Sequence, residues 1–175
     1  DEAGDIWTTD SDDQLVRKFT ADGKLLMTIG KKGVIGDNSS TDSFNGANAV
    51  AIASNGDIYV SDGYENARIV HFNSEGQFIR IIGGGEGSEP GQLKVVHGVA
   101  IDSNGRILVN DSDNQRVSVF DSDGKFVETW PVPSRGVSVM TADDTVYISD
   151  VNAGSISIVK DGRLIDTIPV PGRPH

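Results

Sequence analysis

The chain contains no cysteine, which excludes disulfides, thiolate nucleophiles and cysteine-held metal centres. Histidine is scarce as well: His71, His97 and His175 are the only three, so imidazole chemistry has few addresses. Positive charge is short, with 15 Lys and Arg against 26 Asp and Glu and a formal net charge of −11. A duplex-binding surface needs clustered cations to displace counterions, and no such cluster occurs, so nucleic acid is not an expected partner. No apolar run approaches the roughly 20 residues of a membrane span. Helical periodicity is missing throughout. The signatures G-x-S-x-G and H-E-x-x-H do not occur, and the glycine run at 83–87 enters a loop between strands rather than a phosphate-cradling helix. A cysteine-free chain suits an extracytoplasmic or secreted location, which is slightly favoured without being established.

Glycine, by contrast, is abundant: 21 of 175 residues, the mark of a turn-rich fold. The glycines punctuate an internal repeat. Four segments align: 5–30, 49–83, 98–130 and 136–168, each holding an apolar strand that ends in aspartate. Those aspartates are Asp10, Asp62, Asp111 and Asp150, spaced by 52, 49 and 39 residues. A self-similar unit of this length, built of short strands, predicts a β-propeller. Within a unit the expected strands are Ala49–Ile52, Ile58–Ser61, Ala67–Phe72 and Phe78–Ile82, repeated as Gly98–Ile101, Ile107–Asn110, Arg116–Phe120 and Phe126–Trp130. Glu75-Gly76, Asp123-Gly124 and Asp161-Gly162 close the last hairpin of three units, where glycine supplies a positive φ. Val60, Ile69, Val109, Val117, Ile148 and Ile156 are expected between neighbouring blades. The reading is therefore an all-β single propeller over 1–175, with about four blades at 1–30, 49–83, 98–130 and 136–168. The first unit lacks its innermost strand, which suggests part of a longer propeller, the alternative being a small ring closed by these repeats.

The repeat places the histidines. His97 stands just before strand one of its unit, where Asn48 and Arg135 stand in the flanking units, and His175 falls at the same place in the next one. Strand one lines the axial channel of a propeller, so these residues are expected at one mouth of it. Imidazoles converging from alternate blades are candidate metal ligands. The plainer alternative is a hydrogen-bonding residue of the loop, or, for the terminal His175, the start of an added tag. His71, late in strand three, is expected on the blade surface. The Asp-rich turns lack the spacing and bidentate Glu of a calcium loop and read as solvated turns.

The stretches "VSDGYENARIVHF" and "VNDSDNQRVSVF" resemble NHL repeats, in which a strand ending in Asp is followed by N-x-R and an aromatic. "YVSDGYENARIVHFNSEGQFI" followed by "EPGQLKVVHGVAI" is more closely similar to the peptidyl-α-hydroxyglycine α-amidating lyases. That resemblance implies a six-bladed propeller with zinc in the central channel, held by three histidines from alternate blades, and a structural calcium. It makes His97 the second zinc ligand and His175 the third, with the first in a strand preceding Asp1. Tyr64, in "DGY", matches the tyrosine that acts as base on the substrate hydroxyl; as a single loop tyrosine it equally fits a solvent-facing aromatic. Near a dication a phenol loses its proton more readily. Two positions depart from the family: Ser112 stands where an active-site arginine follows the strand-two aspartate, and Arg173 where a methionine precedes the third histidine.

Two function classes follow. One is a zinc-dependent lyase acting on a small-molecule or peptide substrate in the channel, with Tyr64 catalytic and His97 and His175 on the metal. The other is a non-catalytic NHL propeller that binds a protein, peptide or glycan, using the polar connections 31–47 and 84–96 as contact loops.

Overall fold

A computed structural model describes residues 1, 3–132, 136–142, 144–150 and 153–171. Four antiparallel sheets follow one another along the chain. The first has three strands, β1 (Ile6–Asp10), β2 (Leu15–Phe19) and β3 (Leu25–Gly30). The second comprises β4 (Ala47–Ile52), β5 (Ile58–Asp62), β6 (Arg68–Phe72) and β7 (Phe78–Ile82). The third is β8 (Val96–Ile101), β9 (Ile107–Asp111), β10 (Arg116–Phe120) and β11 (Phe126–Pro131), and the fourth β12 (Gly136–Ala142), β13 (Thr145–Asp150), β14 (Ser155–Lys160) and β15 (Arg163–Pro169). Strands pair only with their sequence neighbours, which is the up-and-down blade of a propeller. We number the sheets as blades 1 to 4. Asp10, Asp62, Asp111 and Asp150 each end the second strand of a blade, counting the three-stranded blade as lacking its first. The fold is thus an all-β, NHL-type propeller, as the repeat predicts. Among the described residues no helix is long and apolar enough to cross a membrane.

β8 packs between β4 and β12, so the first strands of successive blades stand side by side around the axis. Three apolar seams join the blades. Val16, Phe44, Ile58, Val60 and Phe72 fill the seam between blades 1 and 2. Ile69, Ile82, Leu93, Val99 and Val109 fill the next. Leu108, Val117, Trp130, Val139 and Ile148 fill the third. Alternate residues of one strand serve opposite seams: Ile58 and Val60 face blade 1 while Tyr59 faces blade 3. Of the residues expected in these seams, Ile156 is only half-buried, and Ser155, Ser157 and Val159 are the buried positions of β14.

His71 corrects another expectation. It is 4% exposed rather than on the surface, with its Nε2 2.9 Å from Asp57 Oδ2 and its ring stacked on Tyr59. β5 and β6 are buried along their whole length, because blades press on both faces. A polar side chain there must bring its partner with it.

Blades 2 and 3 are each tied to the connection that precedes them by a buried carboxylate. Asp62, fully buried, accepts from Arg68 Nε at 2.9 Å, Asn66 Nδ2 at 2.9 Å and the Asn45 amide at 2.8 Å. Arg68, 1% exposed, then donates to the carbonyls of Ser40 and Ser43. One blade on, Asp111 accepts from Arg116, Asn114 and the Lys94 amide, and Arg116 reaches the carbonyls of Ser88 and Gln92. The long polar connections are therefore fastened down on arginines rather than hanging free. A buried ion pair that loses one member leaves an uncompensated charge. Arg68→Ala is expected to destabilise the fold by about 3–5 kcal/mol in urea unfolding. Arg80→Ala, which breaks a pair with the exposed Asp123, should leave the urea midpoint nearly unchanged.

Candidate functional site

The mouth of the channel on the side where β4 and β8 begin is built from backbone outwards. β8 starts two residues earlier than the sequence pattern suggests, so His97 lies inside the strand. Its pairing with β9 slips there: Val96 faces Asp111 and Gly98 faces Asn110, leaving His97 as the extra residue of a β-bulge. β4 repeats the slip, with Ala47 on Asp62 and Ala49 on Ser61 around Asn48. A bulge re-aims one side chain out of the ladder. Asn48 and His97 are thus equivalent by register as well as by sequence. In blade 4 the slip falls between Gly136 and Ser138, so the counterpart of His97 is Val137 and not Arg135. Arg135 itself, with His175 and Arg173, lies outside the described residues.

Tyr64 belongs to the loop between β5 and β6 of the preceding blade. Its ring meets that of His97 edge-to-face, with centroids 5.0 Å apart and planes at 87°. The two residues singled out from sequence in different repeats are therefore brought together across one blade seam. Tyr64 is 47% exposed and His97 partly so, which leaves both reachable from the mouth.

Close backbone approach makes this contact possible. The Val96 amide donates to the Gly63 carbonyl at 3.1 Å. A Cβ on Gly63 would lie 2.0 Å from the Val96 carbonyl oxygen, so no other residue fits between Asp62 and Tyr64. Gly46, at φ +103°, passes under Tyr64, and a Cβ there would come 2.7 Å from the Tyr64 Cβ. The Val96 carbonyl is held from two sides, by Asn48 Nδ2 at 2.6 Å and Ser61 Oγ at 3.3 Å. Immediately before it, Val95 sits at φ +50°, a costly conformation for a β-branched residue. Surrounding bonds hold it there: the Ser112 amide donates to its carbonyl at 3.2 Å, and Asp113 does the same to Lys94. Ser112, which replaces the family arginine, is 2% exposed and serves this turn through its amide. Strain of this kind persists only where the surroundings over-determine it, and it concentrates at functional sites.

Asn48, Gly46, Gly63 and Val95 are the site residues that motif reading did not single out. Only Asn48 carried a signal, its place in the same register as His97. The Asn48 Oδ1 is buried and has no hydrogen-bond partner, so the channel wall presents an unused acceptor beside β8. No group of three His, Cys, Asp or Glu that could hold a metal occurs among the described residues. They supply one imidazole at this mouth, His97, and do not on their own complete a zinc site.

The chain matches the sequence model of a family described as a 6-bladed beta-propeller over residues 42–157. It is 36% identical over 123 residues to a probable peptidyl-alpha-hydroxyglycine alpha-amidating lyase of Caenorhabditis elegans, covering 69% of this chain and 35% of that protein. To the human NHL repeat-containing protein 3 it is 30% identical over 132 residues, covering 71% of this chain and 38% of that one. The chain therefore spans well under half the length of these curated relatives. Among solved structures, a nidogen–laminin complex superposes with a TM-score of 0.78 at 15% identity over 96% of this chain and 60% of that one. A streptogramin B lyase superposes at 0.69 with 16% identity, over 98% and 53%. At such identities the superpositions show the fold alone.

The contact at Gly63 generates a direct test. Gly63→Ala should cost about 1–3 kcal/mol of stability by overpacking. Gly84→Ala is the control, since a Cβ there meets its nearest atom at an ordinary 3.5 Å and its melting temperature should stay near wild type. Differential scanning calorimetry of the pair reads the difference.

Proposed function

Because the chain belongs to this family of 6-bladed β-propellers, with an amidating lyase among its relatives, we propose that it is part of a lyase acting on peptidyl-α-hydroxyglycine at the channel mouth. The observation that carries the reading is the edge-to-face contact of Tyr64 and His97. The reaction needs the α-hydroxyl to lose its proton, the C–O bond to become the carbonyl of glyoxylate, and the C–N bond to break. The departing amide nitrogen regains a proton. Tyr64 is assigned the first proton transfer, for which a phenol needs to lie within hydrogen-bond reach of the hydroxyl. His97 orients the Tyr64 ring and faces the same space. The bulge and the strained turn at Val95 keep both from relaxing away from it.

Zinc held by His97 and His175 belongs to the proposal, and when bound it would supply Lewis-acid polarisation of a substrate oxygen. A structural calcium is the second ion proposed. Neither carries a step in the assignment of Tyr64. Ser112 does not offer developing charge the positive partner that an arginine at that position would. The reading therefore places more of the work on Tyr64 and on whatever ion is held.

The test is glyoxylate release from a peptidyl-α-hydroxyglycine by the intact protein supplied with zinc, together with metal analysis of the purified protein. Release is expected, and Tyr64→Phe should slow it by about 10²–10⁴, the usual share of a general base. A Tyr64→Phe protein as active as wild type removes Tyr64 from the chemistry. Absence of both release and bound zinc leaves the non-catalytic binding propeller as the function.

A further inference from the structure

The opposite face of the ring carries a second feature, independent of the lyase reading. β4 and β8 run away from the His97 mouth and end in turns, and between these turns lies a cavity of about 450 Å³. We propose that this cleft between blades 2 and 3 binds a neutral, hydroxyl-rich small molecule of mono- or disaccharide size.

A comparison of the two neighbouring seams shows why the cleft exists. Between blades 3 and 4, Ser103 closes the seam on Asp144, its amide at 3.0 Å and its hydroxyl at 2.7 Å from the carboxylate. Counting six residues back from the aspartate that ends strand two, Asp144 of blade 4 corresponds to Gly105 of blade 3. Both have left-handed backbone, at φ +57° and +74°, although the connection holding Asp144 is shorter. Ser54 of blade 2 corresponds to Ser103. At the seam between blades 2 and 3 the same clasp would need a carboxylate at position 105, and glycine supplies none. Ser54 and Gly105 instead line the cavity. Further out, the seam is held by Arg80, which donates to the carbonyl and carboxylate of Asp123. The opening is therefore a missing clasp within a seam that is otherwise closed.

The walls select the ligand's chemistry. Hydroxyls of Ser54, Tyr59 and Ser122 line the cleft, and each can both donate and accept. No lysine or arginine lines it, so a phosphate or carboxylate finds no counter-charge. Asp102, also in the wall and 8% exposed, is already matched by Arg106 Nε at 2.7 Å and by two backbone amides, so a cation is not called for either. Ile52 and Ile101 give an apolar floor suited to the C–H face of a sugar ring. Tyr59 is the fixed element. It is 4% exposed, stacked on His71 at 4.2 Å and 15°, and His71 is anchored in turn on Asp57. Burial, with Asp57 nearby, raises the Tyr59 phenol, so the hydroxyl stays protonated as a donor. Cleft volume and mixed lining fit a small-ligand site.

The experiment is a titration of the isotope-labelled full chain with glucose, N-acetylglucosamine and maltose at millimolar concentration, read from backbone amide shifts. At least one sugar should shift Ser54, Gly105 and Ser122 together. Gly105→Asp rebuilds the clasp that Ser103 and Asp144 make next door. A Cβ at position 105 meets nothing within 4 Å, though its φ of +74° is costly for a residue other than glycine. Gly105→Asp should lower the melting temperature modestly and weaken sugar binding at least about tenfold, the loss of one or two hydrogen bonds. Tyr59→Phe should weaken it several-fold and decides the matter if Gly105→Asp fails to fold. The proposal is overturned if none of the three sugars moves these amides, or if both variants that fold bind as wild type does. Glyoxylate release should be the same in Gly105→Asp and wild type, so the two readings fail separately.

Discussion

A carboxylate buried at the end of the second strand in blades 2 and 3 is the constraint on which the rest of the described arrangement depends. Burying a charge is tolerable only when it is paired and hydrogen-bonded. Asp62 and Asp111 satisfy that demand by drawing in an arginine from strand three, an asparagine from the loop and a backbone amide from the connection before the blade. Each of these bonds has a geometric effect. The amide comes from Asn45 or Lys94, three residues ahead of Asn48 or His97. The aspartate thus fixes where strand one begins, and the bulge that follows aims the side chain at the channel. The arginine spends its remaining donors on carbonyls of the polar connection, turning a long loop into a packed part of the wall. One satisfied charge in each of these two blades organises the loop, the seam and the mouth together.

The fold was largely legible in the sequence because its determinants are local and repeated. The strand-two aspartates, the N-x-R pattern and the Asp/Glu-Gly hairpins recur in register, and each maps onto a strand end or a turn in the structure. Tyr64 and His97 were legible as candidate residues through a motif resemblance, and the structure places their rings in contact. Other features required coordinates. Alignment by residue type sets Gly136 against Gly98 and so selects Arg135, whereas pairing sets Gly136 opposite Asp150 as Val96 stands opposite Asp111, which selects Val137. His71 read as a surface residue because alternation usually separates an inner from an outer face, whereas a blade's middle strands have no outer face. Gly46 and Gly63 were two glycines among 21, and only the close approach of Tyr64 and Val96 marks them out.

The two faces of the blades are built differently. At the His97 mouth, strain at Val95 and doubled hydrogen bonds on the Val96 carbonyl hold aromatic and imidazole rings in a fixed relation. At the other face, replacing an aspartate by glycine at the corresponding position opens space without disturbing any strand. Seams tolerate such changes at their ends because the apolar interior between blades carries the stability, with each fully buried aliphatic side chain contributing about 1.5–3 kcal/mol.

The interlock of Gly63 with Val96 has an implication for how such proteins can be recombined. Tyr64 is encoded in one repeat and His97 in the next, and their geometry is set by a carbonyl and an amide exchanged across the join. A repeat moved alone into another ring would carry half of the arrangement and none of its alignment. The unit that can be inherited or grafted whole is therefore not the blade that the sequence repeat outlines. It is the span from the loop of one blade to the first strand of the next, so gene rearrangements that cut at the blade boundary, between strand four and the next strand one, would dismantle the mouth. Rearrangements that cut on either side of that span would pass it on intact.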